Sequence, residues 1–270
     1  MAVLSISRAW DETKARIAAD GRLLAVVAAA LFVLPSLVTG VISPETSAGG
    51  RSVTEGIIIL IASLIAVIGQ LAIIRLSIGP AVSVGEAIAH GARRMPIYFV
   101  AGVLILLGLA VAAIPFVVIL VAAGVPMERE AIAHSPVAAI LSLLYFIVLV
   151  FIGIRMLMSS PVASEEPVAP VAIIRRSWAL TAGHWWRLFG FLVLFMIGAL
   201  IAIAAINWAV GFVAITFLGP IDPMSASALL VAFVDALVNA VVTVFLAVFL
   251  ARIYVQLAGG EAASVPSSGT

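Results

Sequence analysis

At 270 residues, with 64% apolar, 10% charged and a mean hydropathy of +1.31, the chain does not have the composition of a soluble domain, which is about half apolar and a quarter charged. It has no cysteine, which excludes disulfides, thiolate catalysis and Cys-based metal sites. The formal net charge of +1 hides a strongly uneven placement of the basic residues.

In chain order, Ile6, Trp10, Thr13 and Ile17 recur at helical spacing among Arg8, Asp11, Glu12 and Asp20. These acids, and the lack of an A-x-A site after a short apolar core, argue against a cleaved signal peptide and for a retained first span. Residues 23–44 are uncharged, enough for a helix to cross the roughly 30 Å hydrocarbon core. Pro35 predicts a kink there. A polar loop at 43–55 leads to a second span at 56–74, closed by Arg75. Val84, Ile88, Gly91 and Met95 repeat the opening pattern ahead of a third run at 95–127, where Pro115 roughly matches Pro35. A short charged loop at 127–134 precedes a fourth span at 135–154, closed by Arg155. Residues 159–170, with three prolines and Glu165–Glu166, read as a cytoplasmic linker. Ile174, Trp178, Thr181 and Trp185 give the third copy of the pattern, ahead of a run at 188–221. The sixth span covers 229–250, followed by Arg252 and a small-residue tail, 258–270, expected to be disordered.

The three copies predict an internal triplication. Trp10, Ile88 and Trp178 lie 78 and 90 residues apart, and Arg75, Arg155 and Arg252 follow them by 65, 67 and 74. The expected fold is all-α: one polytopic membrane domain over residues 1–257, with six transmembrane helices. They form three parallel-repeat hairpins, about 1–78, 79–158 and 169–257, each preceded by a cytoplasmic interfacial amphipathic helix. With the termini and the joints between hairpins on one side, that side holds twelve Lys and Arg, against Arg51 and Arg129 opposite. The positive-inside rule then predicts both termini in the cytoplasm.

Two groups of residues are candidates for function. Arg175, Arg176, Trp178, Trp185, Trp186 and Arg187 combine guanidinium forks with amphipathic rings, a pattern suited to lipid headgroups or a phosphorylated ligand. The same residues also serve as topology signals and an aromatic belt. Asp235 is the only acid inside a span, and Asn239 and Thr243 follow at i+4 and i+8 on the same helix face. An intramembrane acid points to a proton, cation or substrate path; its plain alternative is interhelical hydrogen bonding, to Asn239, Gln70 or Asn207. His90, His134 and His184 are scattered and do not converge as metal ligands. No P-loop, G-x-S-x-G or H-E-x-x-H is present, so no catalytic residue, metal or cofactor is expected.

Residues 161–165 (PVASE) and 177–187 (SWALTAGHWWR) resemble a bacterial membrane family. It is the membrane domain found ahead of some glycerophosphoryl diester phosphodiesterases, related to YciC-like inner-membrane proteins. The resemblance implies a lipid-associated inner-membrane protein. It carries over no phosphodiesterase activity, because the His and acidic metal motifs of the catalytic barrel do not occur in these 270 residues. The leading expectation is a non-catalytic, multi-pass scaffold whose partners are membrane lipids and a protein or a second copy, with no nucleic acid. The rival expectation is a small transporter or channel with a polar path at Asp235 and Asn239. A polar cavity reaching Asp235 would favour the rival; a dry bundle would favour the scaffold.

Overall fold

The structure, a computed structural model, describes residues 4–42, 52–78, 82–126, 128–220 and 225–264. Among them every regular element is helical, and six helices are long and apolar enough to cross a membrane. Helix α1 (Ile6–Ala28) passes through a π-helical turn, Ala29–Val33, into α2 (Leu34–Ile42). Pro35 cannot donate to a carbonyl of the preceding turn, and the widened turn just ahead of it absorbs that mismatch within a continuous helix. Helix α3 (Val53–Ile78) packs back on α1 and α2 to close the first hairpin. The second hairpin pairs α4 (Val84–Ala122) with α6 (Pro136–Arg155), joined through the short α5 (Arg129–His134). The third comes after α7 (Ser159–Glu165) and α8 (Pro170–Thr181), and pairs α9 (Trp185–Leu218) with α10 (Ala226–Ser264).

The helix starts are written in the sequence. Ser83 and Glu86 form a reciprocal capping box for α4, and Ser135 caps α6 with Pro136 in the first turn. Between α9 and α10, Phe191 stacks on Phe249 at 3.8 Å and Phe195 on Phe245 at 5.5 Å, a ladder that locks the third hairpin.

The closing arginines gather at one end of the bundle. Arg16 of α1 donates to the Leu76 carbonyl at 2.6 Å, and Arg252 of α10 donates to that of Ser77. Both therefore cap the C-terminal carbonyls of α3. Arg75 pairs with Glu165, and Arg187 of α9 reaches the Leu4 carbonyl at 3.1 Å. The C-termini of α3, α6 and α10 thus share one end, as parallel hairpins require. At this end lies the deepest core, with Met158, Val162, Ile173, Leu188, Phe249 and Ile253 almost fully buried. Away from it the helices present bare apolar faces, such as Leu106, Val111 and Val118 on α4 and Leu194, Ile201 and Phe212 on α9. Exposed apolar surface on that scale matches a hydrocarbon solvent.

Several expectations need correction. Residues 159–170 are not a free linker, because Ser159–Ser164 of α7 is buried and packs against α3, α4, α8 and α10. Its prolines fall where helices tolerate them: Pro161 in the first turn of α7, and Pro170 at the start of α8. Its small Ser and Ala side chains allow close approach to α3, where Ser164 Oγ lies 3.4 Å from the Leu71 carbonyl oxygen. Its acids find partners: Arg75 meets Glu165 at 2.8 Å, and Arg176 meets Glu166 at 3.0 Å. Two of the three amphipathic segments are not separate interfacial helices either. They are the opening turns of continuous helices, since Ile6–Ala28 and Val84–Ala122 each run unbroken from the amphipathic segment into the apolar run. Only the third is separate, ended by the turn at Ala182–Gly183, where Gly183 has φ +78. Residues 129–134 are helical rather than loop. The tail expected to be disordered from 258 is helical to Ser264, and 265–270 lie outside the described residues, as do most of the 43–55 loop and residues 221–224.

Candidate lipid-facing site and intramembrane polar centre

The basic and aromatic residues expected near 171–187 divide in the structure. Helix α8 buries Ile173, Ser177, Leu180 and Thr181, so its inward face is offset from the stripe through Ile174 and Trp178. The stripe also does not reach Trp185, because the Gly183 turn starts a new helix there. Arg176 turns inward to Glu166, whose same Oε1 accepts the Tyr254 hydroxyl at 2.9 Å. Arg175 is exposed, as is Arg187, whose Nη1 is held by the Leu4 carbonyl. Trp186 stands 76% exposed, and Trp178 lies on the outer face of α8.

What draws part of this cluster together is Arg155, a residue whose place in the sequence suggested only a topology signal. Its guanidinium sits over the Trp178 ring at 5.1 Å and over Phe151 at 5.5 Å, a double cation–π arrangement. Ser177 Oγ donates to the Arg155 carbonyl at 2.7 Å, fixing the end of α6 against α8. Trp185 joins through edge and stacking contacts with Phe151, Trp186 and Phe189. Arg155 Nε is buried without a hydrogen-bond partner, and no carboxylate pairs with Arg155, Arg175 or Arg187 among the described residues. This end of the protein therefore carries excess positive charge beside exposed indole rings. The available signal was the place of Arg155 at the end of an apolar run, four residues after Phe151; its contact with Trp178 needs the tertiary fold.

Asp235 occupies a different environment, in the half of the bundle away from the arginines. Asn207 Nδ2 of α9 donates to its Oδ1 at 3.1 Å, and Asn239 Nδ2 donates to its Oδ2 at 3.1 Å. The structure thus brings Asp235 together with Asn239 and Asn207, whereas Gln70 instead donates to Ser160 Oγ of α7. Thr243 is half-buried and makes no hydrogen bond to either partner of the stripe among the described residues. His90 is spent on α7, its Nε2 lying 2.8 Å from the Ser164 carbonyl oxygen. Asp235 also lines a cavity of about 440 Å³ between the π-helical turn, α2 and α3, with Pro35, Ser36, Thr39 and Ser63 in its wall.

Six long apolar helices, bare apolar flanks and arginines collected at one end define an all-α, multi-pass membrane protein. The chain belongs to the DUF7847 family, described as a domain of unknown function, whose family model matches residues 4–257. No curated protein and no solved structure matches it.

Proposed function

We propose that the protein is a non-catalytic, lipid-associated domain of a bacterial inner membrane, with both termini cytoplasmic, that gathers anionic lipid at its arginine-rich end. The observation that carries this reading is Arg155, held between Trp178 and Phe151 with no carboxylate partner among the described residues. A guanidinium fixed at an aromatic belt is oriented in advance for a phosphodiester, and its planar fork suits phosphate better than an ammonium does. The likeness of residues 161–165 and 177–187 to the phosphodiesterase-associated membrane domains supports lipid association as well. Arg155→Ala is expected to reduce co-purified anionic phospholipid about tenfold, the size of one charge-assisted hydrogen bond. Zwitterionic lipid is expected to remain unchanged. Native mass spectrometry of the two proteins reads this directly, and equal anionic lipid on both would remove the basis of the reading.

The orientation has its own test in a chain without cysteine. Single cysteines at the exposed positions Ala123 and Ala133 are expected to react with an impermeant maleimide from outside the inner membrane. Cysteines at the exposed Ser7 and Ala182 should react only after the membrane is opened. The reverse pattern would invert the topology.

A second reading, a transport path between hairpins, is favoured by one observation: the cavity that reaches Asp235 has hydroxyl groups in its wall. By contrast, the groove of about 510 Å³ on α1, α9 and α10 is walled by Trp10, Phe191, Phe195 and Phe245. That groove suits an acyl chain; the Asp235 cavity does not.

A further inference from the structure

We infer that the cavity bounded by the π-helical turn, α2, α3 and α10 is a binding site for a hydrated monovalent cation, with the Asp235 carboxylate as its charged ligand. Such a cation gives the transport reading its ligand class; binding stands independently of that reading, and only passage of the ion through the protein rests on it.

The polar groups around the cavity are biased toward accepting. The Thr39 hydroxyl donates to the Ser36 carbonyl at 3.0 Å and the Ser63 hydroxyl to the Leu60 carbonyl at 2.8 Å. Their protons are committed, and their lone pairs are what remains for a guest. Pro35, in the same wall, has no N–H to cap a carbonyl of the π-helical turn. The amides nearest the carboxylate, on Asn207 and Asn239, already donate to Asp235 itself. The carboxylate and the lone pairs of Thr39 and Ser63 thus favour a guest that brings positive charge.

Asp235 carries one negative charge, and no Lys or Arg forms an ion pair with it among the described residues. A single carboxylate among neutral oxygens suits a monovalent cation; calcium sites are usually built from several carboxylates, and magnesium demands near-ideal octahedral geometry. The space is an open groove of about 440 Å³ along which Ser36 and Ser63 are exposed. At roughly 30 Å³ per water that volume corresponds to about fifteen molecules, which leaves room for a cation that keeps waters of hydration. Interhelical bonding through Asn207 and Asn239 accounts for the position of the carboxylate. It does not account for the hydroxyls of Ser36, Thr39 and Ser63 that line the same groove.

The test uses the whole purified chain at constant ionic strength, with choline chloride replaced stepwise by sodium or potassium chloride, and a separate series in choline at falling pH. A saturable rise in Tm with an alkali ion, absent in Asp235→Asn, is the expected result. A rise on acidification alone, again lost in Asp235→Asn, identifies the bound cation as a proton. Wild type and Asp235→Asn responding alike in every series overturns the site. Should Asp235→Asn fail to fold, Thr39→Val/Ser63→Ala decides: it keeps the acid and is expected to weaken the apparent affinity roughly tenfold. An unchanged affinity in that variant overturns the site as well. Ion flux into proteoliposomes separates the two ideas, because binding without flux removes the transport reading and leaves the site standing.

Discussion

Glu165→Ala is expected to destabilise the protein by about 3 kcal/mol, toward the lower end of what breaking a buried ion pair costs. The carboxylate is 13% exposed and its partner Arg75 27% exposed, so water screens the orphaned guanidinium only in part. Glu165 also accepts the Ser164 hydroxyl at 3.0 Å, and that bond is lost in the same step. The damage arises from the charge left behind, not from the absence of attraction. Arg75→Met/Glu165→Met should therefore recover most of the loss, since apolar side chains of similar volume remove both charges together. Thermal unfolding of the two variants in one detergent reads the difference. A Glu165→Ala protein as stable as wild type would show that α7 does not depend on this pair.

Gly91→Val should be at least as damaging, through geometry instead of charge. A Cβ at position 91 would lie 2.6 Å from the Ile68 carbonyl oxygen and 3.2 Å from the Ala72 nitrogen, both backbone atoms of α3. Neither can turn aside, so α3 and α4 must separate along their extensive contact. Overpacking of this kind costs about 3 kcal/mol. Within a membrane no hydrophobic effect rewards a partial repacking of the helices, and close approach at small residues supplies the attraction. Gly108→Ala on the same helix is the control, because nothing lies within 4 Å of the new methyl group there. It should leave stability unchanged or slightly raised. Engineered cysteine pairs across α3 and α4 would report the separation directly, with cross-linking retained in Gly108→Ala and reduced in Gly91→Val.

The spans could be read from the sequence because hydrocarbon imposes a length and a composition, and the arginines at 75, 155 and 252 mark where three of those lengths end. Asp235 and its bond to Asn239 were equally legible, since an i, i+4 pair is set by the helix alone. Contacts between distant segments were not. Arg155 and Trp178 are separated by 23 positions and meet only because Ser177 holds α8 against the end of α6. The buried α7 was hidden for a different reason. Proline, serine and glutamate have the composition of a loop, and only the partners supplied by α3, α8 and α10 make their burial favourable. Gly91 appeared in the sequence as one member of an amphipathic stripe; its contact with the α3 backbone is a property of two helices together.

The position of α7 also bears on how the protein is made. Residues 159–165 leave the ribosome after the second hairpin, when Arg75 and His90 are already in place to receive Glu165 and the Ser164 carbonyl. Glu166 must wait longer: Arg176 emerges within a few residues, but Tyr254 arrives near the end of α10. The first two hairpins can therefore enter the bilayer while the segment between them and the third remains incompletely satisfied. A chain interrupted before α10 would hold Glu166 through Arg176 alone, without the Tyr254 hydroxyl that completes its partners.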